Sequence, residues 1–148
     1  MSSQNNPIKT LLTHAHNKVD EATRRLGELL ASEHACEVKL EMLVQYRLEY
    51  RGRFMQAARD GMGPDAWRNY SSFIAKLDDA IHAQQNIVDQ SKRMTASGQQ
   101  QWVHERNRMK AFDALSQRQV EQEQRKQNKQ EQNASDEHAI KQFRKSDE

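Results

Sequence analysis

The chain has 148 residues, of which 35% are hydrophobic, 30% charged and 6% aromatic. This length is enough for one domain, but the composition is too polar for a thick globular core and is typical of long helices that bury one narrow stripe. The formal net charge is only +2. Phosphate binding requires a concentrated basic face, so no nucleic-acid partner is expected.

The sequence also indicates the cellular compartment in which the protein is expected. No apolar stretch approaches the roughly 20 residues that a membrane span needs. The polar start MSSQNNPIK lacks the apolar core of a secretory signal. Cys36 is the single cysteine, so an internal disulfide is excluded and a reducing compartment fits. We expect a cytoplasmic protein with no direct membrane span.

The first predicted helix covers about residues 8–59 and begins just after Pro7, because proline is well tolerated in a first helical turn. Over the range 8–57, apolar residues recur in alternating steps of four and three, interrupted only by Glu33 and Arg47. This spacing is the a/d pattern of a coiled coil, in which a and d are the inward positions of the seven-residue repeat abcdefg.

A single break follows, in the stretch DGMGPDAWRNYSSF at residues 60–73. Gly61 and Gly63 can take a positive φ at little cost, and Pro64 suits the first turn of a new helix, so a turn is predicted at 60–64. The second helix, at about 65–133, resumes the same spacing. Because a short loop makes consecutive long helices antiparallel neighbours, the predicted fold is all-α, a two-helix antiparallel coiled-coil hairpin.

The apolar stripes of the two helices also match each other. With Met62 as the centre of the turn, every a or d position of helix one faces a d or a position of helix two. Ala22 then faces Trp102 and Ala57 faces Trp67, so large residues meet small ones, as a stripe of constant width requires. We call the two facing stripes the seam. The hairpin is expected to be a monomer, because each helix covers the seam of the other.

The middle of the predicted seam is weak. Leu26 faces Gly98, and glycine inside a helix costs about 1 kcal/mol relative to alanine. We expect loose packing there and a bend near Gly98. At Arg47 the side-chain stem is expected to pack on Leu77, while the charged head reaches towards Asp78 or solvent.

The apolar signal fades beyond Ser116. Gln117–Asn133 is a low-complexity stretch rich in glutamine, which predicts a solvated helical overhang with a frayed end. The predicted hairpin domain is therefore 1–135, and 136–148 is expected to be a disordered tail.

Few residues suggest a catalytic or metal-binding role. His14 and His16, and likewise His34 and Cys36, are two positions apart and point in different directions on a helix, so neither pair can share a metal ion. Cys36 is expected to be an inert thiol buried opposite Val88. We expect no enzyme, no catalytic residue, no metal and no cofactor.

The hydrophobes outside the seam are more informative. Tyr46 and Phe73 both occupy g positions, which lie on the same side of an antiparallel seam. Exposed aromatic area of this kind marks a docking surface. The alternative is that these residues only widen a thin core.

The chain resembles the FliJ family of flagellar export proteins. The resemblance rests on LEMLVQYRLEYR at residues 40–51 and on W-x-N-Y-x-x-F-I-x-x-L-x-x-A-I at residues 67–81, together with the length and the hairpin plan. It weakens after about Gln117.

The resemblance implies a component of the flagellar type III export apparatus that resembles the rotor stalk of rotary ATPases and associates peripherally with the inner membrane through that apparatus. The implied partners are the hexameric export ATPase ring, the export gate protein FlhA and export chaperones, and the implied role is to couple the proton motive force to protein export and flagellum assembly. The residues implied for the ATPase ring lie at the open end of the hairpin: Ile8, Leu11, Leu12, Phe112 and Leu115. Those implied for the gate are Leu43, Tyr46, Tyr50, Phe73, Leu77, Ala80 and Gln84.

One alternative belongs to a different class of protein. A coiled coil can also act as a scaffold or spacer that dimerises in parallel through its seam and needs neither an ATPase nor a gate.

Overall fold

The computed structural model describes residues 6–147. Helix α1 spans Pro7–Arg59 and helix α2 spans Pro64–Ser146. The predicted all-α hairpin is confirmed, because the two helices of one chain pack against each other within the described range. Residues 1–5 of the predicted hairpin domain and Glu148 of the predicted tail lie outside it.

The helix ends follow from local sequence. Before α1, the Asn6 side-chain oxygen accepts a hydrogen bond from the Ile8 backbone N–H at 3.1 Å, which is the role of an N-cap. Between the helices, Gly61 has a φ of +97°, the left-handed conformation that a residue without Cβ adopts most easily. The Gly63 carbonyl then accepts the Trp67 N–H at 3.1 Å and opens α2.

The chain divides into two compact units. One combines α1 up to Val19 with α2 from His104, and the other spans Asp20–Val103. Both units contain the two helices, so each has its own portion of the seam.

Burial follows the predicted seam in both units. In the first unit Ala15 and Glu105 are buried. In the second, the buried residues are Ala22, Leu29, Leu77, Gln84, Val88, Ser91 and Thr95. Every one of these is an a or d position of the sequence pattern. The seam therefore closes within one chain, and the parallel-dimer alternative would have to break it.

The polar residues of the seam are accommodated by hydrogen bonds. The Gln84 amide donates to the Cys36 carbonyl at 3.0 Å. The Thr95 hydroxyl lies 3.1 Å from the Ser91 carbonyl and 3.4 Å from that of Leu29. These partners offset the cost of burying amides and hydroxyls. Cys36 itself is only half-buried, so the expectation of a fully buried thiol is not met.

The charged head of Arg47 reaches Asp78, as predicted. Its Nε donates to Asp78 at 2.5 Å, across from one helix to the other. This hydrogen bond, followed by the charge of Asp78, raises the pKa of Arg47 above its ordinary value.

The helices approach each other closely at Gly98, and this explains why a glycine occupies the position. A Cβ at this position would lie 2.5 Å from Cδ1 of Leu29, well inside normal contact. Glycine thus leaves room for a buried leucine on the facing helix, and its low helix propensity is offset by that packing.

A double-mutant cycle tests this role of Gly98. In a Leu29→Ala background the obstructing methyl group is gone, so Gly98→Ala should stabilise the protein by about 1 kcal/mol, the helix-propensity difference. In the wild-type background the gain should be smaller, because Leu29 has to shift. Urea unfolding followed by circular dichroism measures both values. Equal gains in the two backgrounds would show that the residues do not interact.

Helix α2 extends further than the sequence predicts. It continues to Ser146, whereas the predicted helix ends at about 133 and is followed by a disordered tail. No glycine or proline occurs after Gly98, and the segment is rich in glutamine, glutamate, lysine and arginine, which favour helix. Residues 121–147 are exposed throughout, so propensity rather than packing accounts for this part of the helix.

Candidate docking site

Six aromatic rings meet near the turn, in the second unit. The helical repeat places Tyr46, Tyr50 and Phe54 one turn apart on α1, and Trp67, Tyr70 and Phe73 one turn apart on α2. Because the helices run antiparallel, the rings of α1 interleave with those of α2. We call these six residues the aromatic ladder.

The ring contacts are continuous along the ladder. Tyr46 meets Phe73 edge to face, with centroids 6.1 Å apart and planes at 79°. Tyr50 lies 4.4 Å from Phe73 and stacks on Tyr70 at 5.4 Å. Phe54 stacks on Tyr70 at 3.5 Å. Such contacts fix each ring in place beyond what area burial alone would do.

Exposure is greatest at the two ends of the ladder. Tyr46 is 44% exposed and Trp67 is 54% exposed, whereas the four rings between them are half-buried. The ladder therefore presents one rigid tyrosine to solvent, supported from behind by Phe73 and Tyr50. The predicted convergence of Tyr46 and Phe73 on one flank is confirmed by their ring contact.

Trp67 is more exposed than predicted. The sequence pattern places it opposite Ala57, where it fills the gap beneath the turn. Its ring lies 5.1 Å from that of Phe54 and is more than half exposed. Phe54 offers a whole aromatic face, which accounts for this contact.

The residues implied for the gate do not all reach the surface. Tyr46 and Ala80 are exposed, and Leu43, Tyr50 and Phe73 are half-buried. Leu77 and Gln84 are buried in the seam at 8% and 4% exposure. In this conformation those two support the surface from within and are not available to a partner. The accessible part of the set is centred on Tyr46.

Two exposed hydrophobes beside Tyr46 were not singled out by the sequence. Val38 and Met42 are 40% and 66% exposed and, with Leu43 and Tyr46, line an open apolar groove along α1. Lys39, Glu41, Gln45 and Glu49 form its polar edges. Val38 and Met42 lie outside the a, d and g positions, so the seam pattern gave them no role. Their spacing of i, i+4, i+8 with Tyr46 was the signal that pointed to a shared face.

The residues implied for the ATPase ring lie together in the first unit. Ile8, Leu12 and Phe112 are half-buried, whereas Leu11 and Leu115 are 41% and 45% exposed. The Asn6 amide donates to the Gln119 side chain at 2.8 Å, so the start of α1 lies beside that part of α2. Arg108 also sits over the Phe112 ring, 5.7 Å from its centre.

Two further findings concern the described residues. Within 6–147, no group of three or more histidine, cysteine, aspartate or glutamate side chains is placed to hold a metal ion. Neither α1 nor α2, over this range, has a stretch both long and apolar enough to cross a membrane.

The described residues form an antiparallel two-helix coiled coil whose aromatic ladder is exposed at both ends. A family model described as "Flagellar FliJ protein" matches residues 4–148. The chain is 30% identical over 118 residues to a flagellar FliJ protein of Salmonella typhi, covering 80% of each chain. It is 28% identical over 117 residues to that of Escherichia coli (strain K12), covering 79% of this chain and 80% of the relative. The chain belongs to the flagellar FliJ family.

Proposed function

We propose that the chain works in the flagellar type III export apparatus as a helical adaptor without catalytic activity of its own. In this proposal the Tyr46 end of the aromatic ladder docks on the export gate protein FlhA, and the apolar residues of the first unit bind inside the export ATPase ring. The adaptor also binds export chaperones and aids the coupling of energy to export. Its association with the membrane is peripheral, through the apparatus.

The exposed Tyr46 is the observation that carries the gate proposal. A tyrosine held on two ring neighbours loses little conformational freedom when a partner covers it, which is the property of an interface hot spot. The apolar groove formed with Val38 and Met42 continues from it, and the charged edge of Lys39 and Glu49 supplies the polar rim that such interfaces have.

The ATPase proposal rests on the first unit alone. Leu11 and Leu115 are exposed apolar side chains, one on each helix, that the seam does not need, so both are accessible to a partner that surrounds the two helices. The family resemblance supplies the identity of that partner.

The test uses the purified full-length chain with the cytoplasmic part of FlhA and, separately, with the export ATPase. Tyr46→Ala should weaken gate binding by about 30-fold, equivalent to about 2 kcal/mol, and leave ATPase binding unchanged. Leu11→Ala should show the reverse pattern. Phe73→Ala should lower both gate affinity and stability, because Phe73 supports Tyr46 from within.

Leu48→Ala is the matched control for Tyr46→Ala, since Leu48 is also exposed on α1, at 55%, but lies outside the aromatic ladder and the apolar groove. It should leave gate affinity unchanged. Melting temperatures measured in parallel separate affinity from folding. If Tyr46→Ala keeps full gate affinity while it lowers the melting temperature, the ring belongs to the core and the gate proposal fails.

A further inference from the structure

Helix α1 carries a second row of exposed apolar side chains outside the seam. Val44, Leu48 and Met55 are 41%, 55% and 50% exposed. The outer face of a helix in a two-helix hairpin is expected to be polar, because it meets only water. Single exposed hydrophobes need no explanation, but a row of them marks a surface that another molecule covers.

The row has the spacing of a coiled-coil seam. It consists of e and b positions of α1 that follow one another in steps of four and three. The e and g positions flank a seam on opposite sides, so this row lies on the other side of α1 from Tyr46. We call it the outer strip, and its members are Glu37, Glu41, Val44, Leu48, Arg51 and Met55.

The outer strip is complementary to an antiparallel copy of itself. When Val44 faces Leu48 of a second copy, the register also places Leu48 opposite Val44 and Glu41 opposite Arg51. Every e position then faces a b position, the same relation that pairs a with d in the hairpin seam. Two apolar layers are flanked on either side by an ion pair between oppositely charged, exposed side chains.

From this self-complementarity we infer that a second copy of the chain covers the outer strip, forming a symmetric antiparallel dimer of two folded hairpins. A twofold axis generates such an interface whenever one patch matches its own rotated copy. At the ends of the strip Met55 faces Glu37, and this pair contributes little to the binding free energy. The dimer is therefore weak and forms only at high protein concentration. It leaves the aromatic ladder uncovered, meets the apolar groove only at its polar edge residue Glu41, and does not depend on the function proposed above.

Sedimentation equilibrium of the full-length chain under reducing conditions tests the inference. The wild-type chain should pass from monomer to dimer as its concentration rises, and Leu48→Glu should weaken association at least tenfold. Glu41→Arg and Arg51→Glu should each do the same, because each places like charges opposite each other twice in the symmetric dimer.

Mixing two chains with reversed charges is the decisive part of this experiment. An equimolar mixture of the Glu41→Arg and Arg51→Glu chains should form a heterodimer with about wild-type affinity, because every facing pair is again opposite in charge. The double variant Glu41→Arg/Arg51→Glu should likewise dimerise by itself. Exposed substitutions of this type seldom alter stability by more than about 0.5 kcal/mol, so folding is retained.

Met42→Glu is the matched control, because Met42 is 66% exposed on the same helix but lies outside the outer strip. It should dimerise like wild type. A chain that stays monomeric at every concentration overturns the inference and assigns the strip to a different protein. A dimer that survives Leu48→Glu, or single-charge variants that fail to complement each other when mixed, overturns it as well.

Discussion

Val88→Asp should destabilise the second unit of the hairpin by at least about 3 kcal/mol, because it places a carboxylate in the seam away from water. Val88 is the most deeply buried large side chain of the described residues, at 2% exposure. Gln84, one turn earlier on α2, already donates its amide to the Cys36 carbonyl of the facing helix. Urea unfolding followed by circular dichroism at pH 7 measures the loss.

Val103→Asp is the matched control for this prediction. It makes the same chemical change on the same helix, but Val103 is 41% exposed. The loss of helix propensity is equal in the two variants, so the difference between them isolates burial. Val103→Asp should change the free energy of unfolding by no more than about 0.5 kcal/mol. Similar losses in both variants would mean that the seam is not the main source of stability.

Tyr50→Ala should have the second-largest effect, a loss of about 3 kcal/mol in the free energy of unfolding. Its ring contacts three others, with centroids 6.3 Å from Tyr46, 5.4 Å from Tyr70 and 4.4 Å from Phe73. Removal opens a gap in the middle of the aromatic ladder. Tyr46 then loses a neighbour that holds it, so gate affinity should fall as well.

Tyr50→Phe separates the ring from its hydroxyl group. It keeps all three ring contacts and should retain wild-type stability within about 0.5 kcal/mol. The two variants are compared by thermal and urea unfolding at the same protein concentration, so that self-association does not differ between them. A Tyr50→Ala variant as stable as wild type would show that the ladder does not stabilise the turn end of the hairpin.

The docking surface was only partly predictable. The heptad letters place Tyr46 and Phe73 on one flank, and their ring contact follows from that placement. Neither the letters nor the family resemblance says how deeply each residue lies, and Leu77 and Gln84, which the resemblance implies for the gate, are buried in the seam. The seven-residue pattern gives no role to Val38 and Met42, because it assigns outward positions to solvent whatever residue occupies them.

The end of α2 is determined by helix propensity and not by packing. The loss of apolar residues after Ser116 correctly marks where packing stops, since residues 121–147 are exposed. It does not mark where the helix stops. Helix formation requires satisfied backbone hydrogen bonds and residues that tolerate helical dihedrals, and the glutamine-rich segment supplies both without a partner.

The sequence by itself determined the fold class, the position of the turn and the pairing of the two helices. These follow from features that are local or periodic: the steps of four and three, a glycine with freedom to turn, a proline at a helix start. Only the tertiary structure decided which seam residues are fully buried, that Trp67 packs on Phe54, and that Gly98 makes room for Leu29. Those outcomes depend on side chains competing for the same space across the helix pair, and periodicity fixes which positions face each other but not which side chain fills the gap.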